Sequence, residues 1–118
     1  MEYQHKERNG KHYTAFEPGN ILIREEQDAL DLMAICGEHD SNRMILHDSN
    51  LDPGIFDLKT RLAGNVFQKF SNYRMRCAIV LPEHYITGRF AEMVKEANRG
   101  GDIRFFQSLQ QAESWISS

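Results

Sequence analysis

The chain has 118 residues and carries 14 Lys and Arg against 17 Asp and Glu, a formal net charge of -3. That length suits one domain with its own core, which needs neither a disulfide nor a metal as a staple. The weak acidic balance argues against strong non-specific nucleic-acid binding, and no apolar run approaches the ~18 residues of a membrane span.

In chain order, Tyr3 to Arg8 and Lys11 to Glu17 flank Asn9-Gly10. Asn-Gly is the strongest two-residue hairpin signal, because both central residues of a type I′ turn need positive φ. An opening hairpin is therefore expected, and Pro18-Gly19-Asn20 breaks it. From about Arg24 to His39 the pattern turns helical. Ala29, Leu30, Met33, Cys36 and Gly37 fall on one arc at 100° per residue, and Ile35 points outward as an exception. Arg43 to His47 reads as a strand and Ile55 to Phe70 as an amphipathic helix. Its apolar stripe is Ile55, Leu58, Leu62, Ala63, Val66 and Phe70, with Phe56 and Phe67 beside it. Met75 to Leu81 is the next strand, ended by Pro82, which cannot donate to a ladder. Thr87 is placed to cap a helix whose apolar side is Phe90, Val94 and Ala97, and Asn98 to Gly101 stops it. Ile103 to Gln107 is the last strand. Ser108 opens a final helix with Leu109, Ala112 and Ile116 inward and Trp115 at the edge.

The order is ββαβαβαβα, an α/β chain with an N-terminal hairpin. Parallel crossovers share one hand, so strands lying side by side in chain order put the helices on one face. Residues on the two faces of a strand alternate. One face of the fourth strand carries Met75, Cys77, Ile79 and Leu81, and the other Arg76, Ala78 and Val80. That mixed second face argues against a doubly wound sheet, which would be apolar on both sides. A mixed sheet with helices mainly on one face is expected, and its uncovered face, with Val80 and Phe106, would favour a homodimer. The cysteines, Cys36 and Cys77, read as small core hydrophobes, with a helix-to-strand disulfide as the alternative. No apolar signal-peptide region follows Met1, so a reducing cytoplasm is expected.

The element order, one hairpin strand followed by a β-α superhelix, resembles the STAS domains, the SpoIIAA-like anti-sigma-factor antagonists. Phe56-Asp57-Leu58-Lys59-Thr60 stands where such chains carry an Asp-Ser-Ser/Thr-Gly-like segment, and Ile103 to Leu109 followed by Ala112 to Ile116 matches their closing strand and helix. In that family a serine at the helix start accepts a phosphate. The matching positions here are Leu58 and Lys59, and Thr60 is the only nearby hydroxyl. A closer likeness, over about residues 20–116, is to a bacterial family known as domain of unknown function 4180. It is carried by Gln27 to Ala34, Phe56 to Thr60, Leu62-Ala63-Gly64, Gln68 to Tyr73 and Glu96 to Gly100. The resemblance implies Gly and Glu at the positions of Arg61 and Asn65, where this chain departs, and it brings no activity.

The polar stretch from His47 to Asp57 lies between a strand end and a helix start, where open α/β sheets place their sites. Lys59 falls inside the apolar arc of the predicted helix and in its first turn, where the dipole disfavours cations. It reads as a snorkelling lysine, as a partner of Asp57 or Asp48, or as the anchor of an anion at the helix N-terminus. His47 and His84, at one sheet edge with Asp48 and Asp57, are weak metal candidates without a tight ligand spacing. Gly100-Gly101 follows a helix and precedes a strand, the reverse of a phosphate loop, and no cofactor is expected. The expected binding residues are Asp48, Asp57, Lys59, Thr60 and Arg61, with no catalytic set. The leading expectation is a non-catalytic regulatory or adaptor domain for a protein partner or a second copy. The alternative is a sensor of a small anion or nucleotide, and a small hydrolase using His47, His84 and Asp57 is the third.

Overall fold

The computed structural model describes residues 1–118, apart from the side chain of Leu58. Five strands form one sheet in chain order: β1 (Tyr3–Arg8), β2 (Lys11–Phe16), β3 (Arg43–His47), β4 (Arg76–Val80) and β5 (Ile103–Phe106). β1 and β2 are antiparallel, and the remaining pairs are parallel. Asn9 and Gly10 take φ of 55° and 75° at the hairpin turn, the two positive values that a type I′ turn requires.

Four helices complete the order: α1 (Glu26–Gly37), α2 (Leu62–Asn72), α3 (Gly88–Ala97) and α4 (Leu109–Ile116). The first three are crossovers between parallel neighbours, and their shared hand sends them to one face of the sheet. Ala29, Leu32 and Cys36 of α1, Ala63, Val66 and Phe70 of α2, and Phe90 and Val94 of α3 pack there against Met44, Leu46, Cys77 and Ile79. On α1, Leu32 takes the core position, while Gly37 is exposed and Ile35 is half-buried against the core rather than pointing away. The expected stripe residue Leu58 lies outside the described side chains.

α4 corrects the expectation of a bare second face. It follows the last strand, so no crossover dictates its side, and it folds over the face opposite the other helices. Ala112 and Ile116 are buried with Tyr13, Ile45 and Ala78, and Val80, Phe106 and Trp115 pack around them. The Tyr13 hydroxyl donates to Glu113 at 2.7 Å, and Arg43 Nη1 donates to the Ile116 carbonyl at 2.6 Å. Leu109, expected inside, is 42% exposed at the helix start. The wet apolar face that motivated a homodimer is therefore covered from within the chain.

Cys36 and Cys77 are both buried and free. Burial pushes the Cys36 thiol up to about 11 and that of Cys77 higher still, so neither is a thiolate at neutral pH. No described helix is long and apolar enough to cross a membrane. The radius of gyration is 13.0 Å.

Candidate functional site

The connection leaving β3 is where the helical reading fails. It is built from three short 3₁₀ turns, Asp48–Asn50, Pro53–Phe56 and Leu58–Thr60, before α2 begins at Leu62. Pro53-Gly54 interrupts any longer helix, and a 3₁₀ turn advances 120° per residue, which breaks a wheel drawn at 100°. Polar side chains hold the turns. Asp52 Oδ1 accepts from the Gly54 N–H at 2.8 Å, and Asp57 Oδ1 accepts from the Lys59 N–H at 3.0 Å. The Thr60 hydroxyl shares its proton between the carbonyls of Gly54, 2.7 Å away, and Asp57, 2.9 Å away. It also accepts from the Leu62 N–H at 3.2 Å. Asp57 thus holds the third turn, and it does not cap α2.

Lys59 consequently has another environment than its sequence position suggested. It is exposed on a 3₁₀ turn and is not pressed against the core from the first turn of α2. Arg61 precedes α2 at φ 61°, and its side chain is exposed.

Lys59 and Asp57 line a cleft of about 570 Å³ at the carboxyl ends of β3 and β4. Its floor is aromatic. Phe56 stacks on Tyr85 with centroids 4.3 Å apart and planes inclined by 18°, and meets Phe90 edge-on at 5.2 Å. Phe90 in turn packs on Phe105 at 5.7 Å, so the floor is continuous with the core. Around the rim stand Lys59, His84, Thr87 and Arg89 with Asp57. His84 lies against Tyr85, the ring centroids 4.4 Å apart. Thr87 is the extended residue before α3, and its side chain makes no cap bond. Thr87, Arg89 and Phe90 bring the start of α3 to the cleft, and a helix start favours negative charge.

The fold brings together only part of the expected set. Asp57, Lys59 and His84 meet in the cleft, whereas Asp48, Thr60, Arg61 and His47 are not part of its lining. Asp48 lies in the first 3₁₀ turn, where its carbonyl accepts from the Leu51 N–H at 3.1 Å. His47 is half-buried beside it; burial lowers its pKa, against the pull of Asp48 and Glu17. Among the described residues no three His, Cys, Asp or Glu side chains converge on a metal position.

Sequence reasoning missed Arg89, Tyr85 and Asn50. The signal for the first two was present: Tyr85 to Arg89 follows β4 as the Asp57 loop follows β3, and neighbouring parallel strands put both at one edge. Asn50 is fully buried. Its Nδ2 donates to the carbonyls of Glu17 and Asn20, both at 2.9 Å, and its Oδ1 accepts from the His47 N–H at 2.8 Å. Its own carbonyl accepts from Leu22 and Ile23. It ties the segment after β2 to the end of β3.

The family pattern described as a domain of unknown function, DUF4180, matches residues 8–116. The chain belongs to that family. The match spans the sheet from the end of β1 and every helix, so the cleft lies wholly inside the DUF4180 region. No curated protein and no solved structure matches the chain.

Proposed function

We propose that the protein is a non-catalytic binding module that takes a small anionic ligand with a flat apolar portion in the cleft at the carboxyl edge. One observation carries this reading. Lys59 and Arg89 stand on the rim of an aromatic floor, and among the described residues neither forms an ion pair. A concave site with an apolar base and a few converging polar groups is the usual form of a small-molecule pocket. Phe56 and Tyr85 would accept a planar group against their exposed edges, and the two cations with the α3 start would hold its negative charge.

A partner-binding role would accompany a STAS-like reading of the strand and helix order. The concave shape supports the small ligand over a docked protein face. In the Leu58–Thr60 turn, Thr60 is the only hydroxyl, and it is already engaged three ways.

Calorimetric titration with benzoate, naphthalene-1-carboxylate and acetate tests the proposal. The two aromatic anions should bind, and the Lys59→Ala/Arg89→Ala double variant should bind them at least ten times more weakly. An equal affinity in the double variant, or no heat with either aromatic anion, overturns it.

A further inference from the structure

A second cluster lies at the other end of the sheet and on its other face, independent of the cleft. Arg76 opens β4 and pairs in register with Arg43, and Arg104 on β5 pairs with Ala78. The guanidinium carbons of Arg76 and Arg104 lie 4.3 Å and 5.3 Å from the ring centroid of Trp115 on α4. Two like charges are thus gathered on one indole. Both arginines are half-buried, and among the described residues neither forms an ion pair. Arg104 Nε is buried with no hydrogen-bond partner.

Of the neighbouring groups Asp102 pulls on this charge, but among the described residues it forms no ion pair with either arginine. Arg43 is a third cation, and its Nη1 is already spent on the carbonyl oxygens of Ile116 and Ser118, at 2.6 Å and 3.0 Å. Burial and the charges of Arg43 and Arg104 lower the Arg76 pKa, against the pull of Asp102. Glu113, the acidic residue of α4, is turned to Tyr13 and Lys6. Half-buried guanidiniums are ordinarily paired, and a buried donor without an acceptor requires an explanation. A guanidinium held over an indole can still turn its terminal N–H groups to an oxyanion, although the Nε of Arg104 is itself buried. Arg104 also borders a cavity of about 530 Å³ whose other polar lining is Asn98, Gln107 and Gln111; Arg76 and Trp115 are not part of that lining.

We propose that Arg76 and Arg104, held on Trp115, form a binding site for a phosphate-type dianion. Two positive forks match two negative charges, and guanidinium recognises phosphate oxygens in a bidentate manner. The ligand class is inorganic phosphate or the phosphate group of a small monoester.

Trp115 is the only tryptophan in the chain, so its emission reports on this site alone. The experiment titrates inorganic phosphate, methyl phosphate, acetate and chloride into the full chain at constant ionic strength. Phosphate or methyl phosphate should give a saturable change, and which of them does so identifies the source. Arg104→Gln should weaken that binding at least tenfold. Arg104→Lys, which retains the charge and loses the fork, should weaken it as well and guards against a folding defect in the first variant. Lys59→Ala should leave it unchanged, which separates this site from the cleft. A linear response equal to that of chloride, an equal affinity for acetate, or undiminished binding by Arg104→Lys overturns the proposal.

Discussion

At the residue scale, the most consequential buried polar side chain is Asn50, and it carries no sequence signature. Asn50 looks like a turn residue in the sequence, and short polar residues are common in turns. Only the folded chain turns its amide inward to satisfy two carbonyls and one N–H across the segments 17–20 and 47–50. Removing it leaves buried partners without a bond, which costs roughly 1–3 kcal/mol for each group affected. Asn50→Ala should lower the unfolding free energy by about 3 kcal/mol, measured by urea titration. A loss under about 0.5 kcal/mol would show that water replaces the amide. Lys59 teaches the converse. Its apparent burial came from a wheel extended through residues that are not α-helical, and its true position is exposed at the rim of a cleft.

At the scale of elements, strands and helices lie close to where periodicity puts them, with one exception at α2. The predicted start near Ile55 is replaced by turns whose closure depends on Asp52, Asp57 and Thr60. The cue was Pro53-Gly54, and the apolar residues Ile55 and Phe56 concealed it, because they satisfy a core from a 3₁₀ turn as well as from a helix. α2 is entered through Arg61 at φ 61°, a left-handed conformation that costs a side-chain-bearing residue roughly 1–2 kcal/mol. Glycine avoids that penalty but loses more entropy on folding, about 0.4–1 kcal/mol. Arg61→Gly should therefore stabilise the protein by about 0.5–1 kcal/mol, seen as a higher thermal midpoint. A lower midpoint would mean that the arginine side chain contributes more than its backbone strain.

For the whole molecule, the fold is held by two cores on either side of one sheet, and its stability should weaken on mild acidification. His5 and His47 both have lowered pKa values in the folded chain, burial being the first cause in each case. His39 adds repulsion at His5, against the pull of Glu38, and their rings lie 4.0 Å apart. An unfolded histidine titrates near roughly 6.5. Below that value the unfolded chain binds more protons than the folded one, so the unfolding free energy falls with pH. The stabilisation is complete above the unfolded value and is lost as pH drops through the folded ones. The urea midpoint should be lower at about pH 5.5 than at about pH 7.5, and His5→Gln/His47→Gln should shrink the difference; an unchanged difference would assign the effect to other groups. The sequence alone determined the ββαβαβαβα order, the hairpin turn and which strand residues share a face, because these depend on local φ preference and on periods of 2 and 3.6 residues. Only the tertiary structure decided the side taken by α4, the meeting of Lys59 with Arg89, and the gathering of two arginines on Trp115. Each depends on which strands become neighbours and on where a loop folds back, and those contacts join residues too distant in the chain for any local pattern to encode.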